Sequence, residues 1–442
     1  MKVQLRRALI LVSGAVLLFG SSTSCSRAQI GALGGTAGPA LVEPPATIQR
    51  ANPFEPRGRE YAGLPVGDWL LFPSLFVGAL VDDNVNQSST SRTSSAGARV
   101  VPSLFAEAND GIHKTTLYGM LDGRLYAEAS ASNADAVAAR SGVIQTYEAA
   151  RDLIFRGQAD YTRQRDLFST FGVDHSVTSL NPTGVGLSPT VNPQTYNQFS
   201  GSASVQKTLD RAFVSLTGSV VDIVYDGGGT QPSPDGVVYT ASGRGGFWFT
   251  PLLYAYAEPT VDQRRYATTI FNSQGYRAVG GIGSDQIGLF RGEVYGGYQA
   301  EQFDLAPLGS VSSTVLGARL SYYPTRALTL RASVDESLGV TSLAPSPGVS
   351  SGTPTRLTTS LLQASYTIAP EWSANARFGY IRTQYVNNPR LDNAWTVGGT
   401  IEYSIWRNVN LTLDYQYTQL TSNAPGQNFS RNVGTLGAVY RY

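Results

Sequence analysis

From Asn393 to Tyr442 apolar and polar residues alternate up to the last residue of the sequence, and few folds can use such a pattern. Val409, Leu411, Leu413, Tyr415 and Tyr417 occupy one set of positions, and Asn410, Thr412, Asp414 and Gln416 the other. A side-chain period of 2 belongs to a β-strand with one apolar and one polar face. The stretch before it sets Trp395, Val397, Gly399, Ile401, Tyr403 and Ile405 against Thr396, Gly398, Thr400, Glu402 and Ser404. Only Trp406–Arg407–Asn408 lies between the two, so they form a hairpin. The closing stretch sets Leu436, Ala438, Tyr440 and Tyr442 against Thr435, Gly437, Val439 and Arg441. A soluble sheet gains nothing by ending on an exposed aromatic face. A sheet whose apolar face meets lipid does, and only a closed barrel satisfies its backbone there. The expected class is all-β, a transmembrane antiparallel up-and-down β-barrel.

The same unit recurs upstream. An alternating segment leads through a very short turn into a second segment, and a longer polar loop follows. Short turns are expected near Asn109–Gly111, Ala150–Asp152, Leu209–Arg211, Thr250–Leu252, Ser284–Gln286, Pro324–Arg326, Ala369–Glu371 and Trp406–Asn408. Between them lie loops rich in Pro, Gly, Ser and Asn, such as Asp226–Gly229 and Ala344–Gly348. Short turns at one end and long loops at the other are the asymmetry of an outer-membrane barrel, which a soluble propeller has no reason to adopt. The segments number about eighteen, with sixteen as the alternative, and an even count puts both barrel ends on the short-turn side. The expected strands include 142–149 as the fourth and 276–283 as the tenth.

Composition agrees. Charged residues make up 15 % of the chain, against roughly 25 % in typical soluble proteins. Tyr outnumbers Phe by 24 to 17. A net charge of +1 gives no nucleic-acid signature. Lys is confined to Lys2, Lys114 and Lys207, so the positive charge is nearly all Arg. Arg stays charged and forms fixed multidentate hydrogen bonds, which suits a pore lining; an Arg-favouring codon usage gives the same count.

Residues 1–28 read as a secretion signal, with Lys2, Arg6 and Arg7 before the apolar stretch Ala8 to Phe19, and cleavage expected before Gln29. Cys25, the single cysteine, lacks the Leu expected three residues before a lipidated cysteine. Residues 29–67 are rich in Gly and Pro without strand periodicity and read as a linker, periplasmic or folded into the lumen. Residues 68–442 form the barrel, and no later stretch is apolar enough for a membrane helix.

Parity assigns faces. A lipid-facing Arg or Lys near the midplane costs about 2–4 kcal/mol, so charges should line the lumen. The lumen-facing candidates are Asp122, Arg124, Tyr126, Arg156, Asp160, Tyr254, Tyr256, Arg264, Arg291, Glu293, Tyr295, Arg331, Asp335, Arg377 and Asp414. Leu436, Tyr440 and Tyr442 belong to the closing strand, which resembles the sorting signal read by the outer-membrane assembly machinery. Trp69, Trp248, Trp372 and Trp406 sit beside short turns and suggest an aromatic girdle at the inner interface.

The entry to the barrel carries a motif. Asn52–Gly58 (Asn-Pro-Phe-Glu-Pro-Arg-Gly) leads to Val66–Gly67–Asp68–Trp69–Leu70–Leu71–Phe72–Pro73–Ser74–Leu75, and then to Val81–Asp82–Asp83–Asn84–Val85. With the Arg151–Asp152–Leu153 turn and the closing aromatic strand, this resembles the β-barrel porin family of outer-membrane proteins linked to capsular or exopolysaccharide loci. The resemblance covers about residues 50–442. It implies a porin fold in the outer membrane of a Gram-negative bacterium, more distantly polysaccharide export, and no catalytic residues.

Little else signals chemistry. His113 falls near a short turn, and His175 lies in a long loop within Asp174–His175–Ser176, a pair without a placeable second acidic pair for hydrolysis. Asp82–Asp83–Asn84 has calcium-type ligands but better suits a solvated strand end. No cofactor and no metal site is expected. Two functions compete ahead of an enzyme: a channel passing small polar solutes or assisting polysaccharide export, and a structural or adhesive barrel without an open pore. The expected partners are outer-membrane lipid and lipopolysaccharide, the barrel assembly machinery, and polysaccharide or small polar solutes. Tyr126, Tyr254, Tyr256 and Tyr295 share parity with the lumen charges, where exposed rings would suit stacking on sugars.

Overall fold

The computed structural model describes residues 63–128, 136–165, 195–226, 235–267, 269, 272–304, 309–340 and 353–442. The expected leader, the linker as far as Ala62, and Asp174–His175–Ser176 lie outside them. In chain order the strands are β1 Leu64–Val66, β2 Trp69–Asp82, β3 Ser95–Asn109, β4 His113–Tyr126, β5 Ala136–Ala150, β6 Leu153–Arg165, β7 Thr195–Leu209, β8 Ala212–Tyr225, β9 Gly236–Trp248 and β10 Leu253–Tyr266. They continue as β11 Ser273–Ile287, β12 Phe290–Phe303, β13 Ser310–Tyr322, β14 Leu328–Val340, β15 Pro354–Ala369, β16 Trp372–Tyr385, β17 Leu391–Trp406, β18 Val409–Ser422 and β19 Phe429–Arg441. Each of β2 to β18 pairs antiparallel with the next, and β19 pairs with β2 from Val433 opposite Asp82 to Arg441 opposite Ser74. The barrel therefore closes with eighteen strands, which sets aside sixteen.

Four expectations change. The fourth strand begins at Ala136, because Val137–Ala138–Ala139 carries no polar alternation to announce it. The tenth runs from Ser273 to Ile287. The expected turn at Ser284–Gln286 is a register shift within that strand, and the reversal falls at Gly288, whose φ of 60° favours glycine.

Third, the segment read as a structureless linker ends in a strand. Leu64, Pro65 and Val66 stand opposite Leu71, Leu70 and Trp69. β1 thus continues the line of β19 where the chain stops: the Tyr442 N–H donates to the Pro73 carbonyl at 3.2 Å, and β1 takes over two residues further along β2. In an antiparallel strand a residue's N–H and C=O point to the same neighbour, so the donor Pro73 lacks falls at the break between the two segments.

The faces follow from parity. Phe247, Ala255, Ile282, Val294, Ala318 and Val334 stand opposite one another from β9 to β14. Ile282 and Val294 are 54 % and 51 % exposed, the surface that meets lipid. Near the short-turn end this face carries stacked rings: His113 on Tyr147 at 4.8 Å, Phe290 on Tyr322 at 4.3 Å and Trp372 against Tyr403 at 4.5 Å. His113 is thus a girdle residue. Trp372 and Trp406 are exposed there, but Trp248, the fourth correction, points inward and packs on Phe213 and Tyr254.

Candidate functional site

Polar residues of the opposite parity face the lumen, and cross-strand register collects them into three groups. Across the closure, Arg431 on β19 holds Asp82 on β2, its Nε 3.1 Å from both carboxylate oxygens. The Tyr126 hydroxyl donates to the same carboxylate at 3.1 Å. One strand further, Asp122 accepts from Arg99 Nε at 2.9 Å and from Arg124 Nη2 at 2.8 Å. The buried Asp122 carboxylate lies between two guanidinium groups that stand directly opposite in the register. Paired in this way, Asp82–Asp83–Asn84 works as a clamp: Asp83 accepts from the Asn432 side chain at 2.7 Å, and the Asn84 amide donates to the Ser88 and Ser430 carbonyls at 2.9 Å.

The largest group spans β9 to β14. Arg244 reaches Glu293 at 2.6 Å and Glu258 at 3.2 Å, and its guanidinium carbon lies 3.6 Å from the centre of the Tyr256 ring. Arg319 bonds the other Glu293 oxygen at 2.9 Å. Nearer the long loops, Asp335 accepts from Arg277 at 2.8 Å and from the Tyr295 hydroxyl. Arg264 bonds Asp262 at 3.0 Å and lies 3.3 Å from Glu301.

The Tyr rings here follow a local rule. One lumen row reads Gly246, Tyr256, Gly281, Tyr295 and Gly317 across five strands. A Cβ at Gly317 would stand 2.2 Å from Tyr295 Cζ, and one at Gly283 2.3 Å from Tyr254 Cζ. The rings lie flat in the space the glycines leave, as aromatics do over glycine in sheets. Tyr254, Tyr256 and Tyr295 are consequently 2 %, 7 % and 6 % exposed. They seal the wall with Phe213, Val279 and Val315, and they offer no open ring face for a sugar.

The third group lies on β16 to β18. Arg377 donates to Asp414 at 3.0 and 2.8 Å and to Thr400 at 2.9 Å, and the Thr400 hydroxyl donates to Asp414 at 2.5 Å. The remaining candidates stand apart from these groups. Arg156 is opposite Thr146 and Ser204, and Asp160 is opposite Gly142 and Ser200. Arg291 and Arg331 both face Ser321.

Pairing was beyond the reach of sequence reasoning. Arg244 and Glu293 are three strands apart, Arg99, Arg277, Arg319 and Arg431 escaped selection, and Asp82 was read as a strand end rather than a lumen partner. Parity could have found Arg319, between Ala318 and Leu320. It was blind to Arg244, whose neighbours Gly243 and Gly245 mark neither face. Each of the eight arginines in the three groups thus has a carboxylate within ion-pair distance, so its charge is offset locally.

Residues 53–442 match the family described as "Putative beta-barrel porin 2". No curated protein sequence matches significantly. Among solved structures, the chain is similar to OpdL of Pseudomonas aeruginosa at 14 % identity and a TM-score of 0.43, over 85 % of this chain and 99 % of that one. It is similar to the outer membrane channel DcaP of Acinetobacter baumannii at 11 % identity and a TM-score of 0.41, over 86 % and 100 %. The anion-selective porin from Comamonas acidovorans matches at 10 % identity and a TM-score of 0.38, over 85 % and 99 %.

Proposed function

The chain belongs to this family of β-barrel porins of the Gram-negative outer membrane, and from that premise we propose that its lumen is an aqueous path for small polar solutes with little preference for charge. The observation that carries the reading is the local pairing of Arg with carboxylate along the lumen wall. A ring of one sign would select ions; Arg244 between Glu293 and Glu258, and Asp122 between Arg99 and Arg124, leave no such ring among the described residues. Arg124, Arg277 and Arg319, each 24 % exposed, keep hydrogen-bonding edges for water and passing hydroxyls, while glycine-seated Tyr rings keep the wall smooth.

The test is reconstitution in a planar bilayer. Stepwise ion conductance with a reversal potential near zero in a salt gradient supports the reading. Strong selectivity for one sign overturns its charge argument. No conductance favours a structural barrel with a closed lumen. Block of the current by a long oligosaccharide would move the reading toward polysaccharide export.

A further inference from the structure

One joint in the wall differs from the rest. β13 and β14 share five register pairs, from Ala318 opposite Val334 to Tyr322 opposite Leu330. Leaving aside the three-residue β1, the next shortest joint, β19 with β2, has nine. Both strands continue past the end of this short ladder. Ser310–Gly317 stays paired with β12, and Asp335–Val340 stays paired with β15. Among the described residues no register pair joins these two stretches.

Side chains from other strands hold the released half of β14. Asp335 is bonded by Tyr295 of β12 and Arg277 of β11. The Leu338 carbonyl accepts from Arg264 Nη2 of β10 at 3.3 Å. Strands lie about 4.8 Å apart, so β10 and β14 are about 19 Å apart along an even wall; a direct bond requires β14 to have turned inward over its neighbours. Beyond the short ladder β14 therefore lies inward of β13 in the half nearer the long loops; this stretch without a ladder is called the slot below.

The two sides of the slot differ in chemistry. On the outer lip Leu316 is 67 % exposed to lipid. On the inner floor, Arg264 Nη1, Arg277 Nε, Gln299 Nε2 and Glu301 Oε1 are buried without a hydrogen-bond partner. Gln299 and Glu301 are 6 % and 3 % exposed. Unmade bonds of this kind are costly. Here donors and an acceptor stand together, which matches hydroxyl groups, since these both give and take hydrogen bonds. An unpaired sheet edge in hydrocarbon is likewise costly unless something polar meets it.

We propose that the slot between β13 and β14 is a lateral binding site for an amphiphile with a hydroxyl-rich head, a glycolipid, whose head lodges among Arg264, Arg277, Gln299 and Glu301 while its chain passes Leu316 into the bilayer. The head satisfies the orphaned floor and the strand edges together, and entry is from the membrane. Dodecyl maltoside carrying a photoreactive group on its sugar serves as the probe, with the full chain in phospholipid vesicles and labelled residues mapped by mass spectrometry. Labelling should fall on lumen-facing residues of β11 and β12 near Arg277, Gln299 and Glu301. Excess dodecyl maltoside should displace it, and maltose should not. Gln299→Leu removes an orphaned donor and should cut labelling about tenfold, the value of one hydrogen bond, while the heat-modifiable migration of the folded barrel is retained. Labelling confined to lipid-facing residues overturns the proposal, as does equal displacement by maltose, which means entry through the mouth. An unchanged Gln299→Leu variant also overturns it; should that variant not fold, the label map of the unaltered chain decides.

Discussion

Glu293→Gln removes a carboxylate that two lumen arginines share. Glu293 and Arg244 side chains are each 1 % exposed, and their 2.6 Å contact is joined by Arg319 at 2.9 Å. Breaking a buried ion pair by neutralising one partner costs about 3–5 kcal/mol, because the other charge is left buried. Gln keeps one acceptor oxygen, and Glu258 still reaches Arg244 at 3.2 Å, which puts the expected loss near the lower end, about 3 kcal/mol. That is about a hundredfold in the folding equilibrium. Urea titration of folding into phospholipid vesicles, read by tryptophan fluorescence, measures it. A companion cycle of Arg244→Met, Glu293→Met and the double variant should show the double variant less destabilised than the sum by more than about 1 kcal/mol. A Glu293→Gln barrel within about 0.5 kcal/mol of the unaltered one, with an additive cycle, would refute the claim that the wall rests on paired charges.

Other outcomes follow from the geometry. Gly317→Ala places a methyl where the Tyr295 ring lies and should cost about 1–3 kcal/mol in the same titration, whereas Gly218→Ala, with nothing within 4 Å of its Cβ position, should be close to neutral. Tyr440→Ser with Tyr442→Ser should sharply reduce outer-membrane yield and heat-modifiable migration, since both rings lie exposed on the apolar face of the closing strand, Tyr440 opposite Leu75. Asp152, in the turn after β5, is held below the usual carboxylate range by the Lys207 ammonium. A lowered folded pKa contributes stability that is present above the unfolded value of 3.8 and lost as pH falls through the folded one. Hydrogen exchange at the Thr208 N–H, which bonds the Asp152 carbonyl at 2.8 Å, should therefore speed up relative to Asp152→Asn only on acidification below about pH 4.

Strand positions were legible wherever alternation was clean. Leu253–Tyr266, Ala212–Tyr225 and Trp372–Tyr385 begin and end where periodicity put them. Small residues erased the signal at Val137–Ala139, because a residue that suits either face marks neither, and the polar run Ser284–Gln286 read as a turn although it continues the strand. β1 escaped notice because three residues with a central proline have no period; its place opposite Leu71, Leu70 and Trp69 shows only in the closed barrel. Parity marked lumen charges, but partners three or four strands apart depend on wall curvature. The Tyr residues show the same limit: their parity was visible, while their burial depends on which glycine stands opposite. The short ladder between β13 and β14 has no counterpart in the alternation of either strand.

The central claim is that alternation divides each strand between lipid and a wet lumen, and β7 tests it most gently. Its run Ser200, Gly201, Ser202, Ala203, Ser204 and Val205 accepts single cysteines with little change in volume. Ser200, Ser202 and Ser204 share the parity of Asp160 and Arg156, which they face across the ladder. In vesicle-embedded protein, a charged, membrane-impermeant thiol reagent should modify cysteines at 200, 202 and 204 quickly and those at 201, 203 and 205 slowly. Uniform reactivity along the run, or the opposite alternation, would contradict the assignment of faces; three unreactive serine positions would contradict a water-filled lumen.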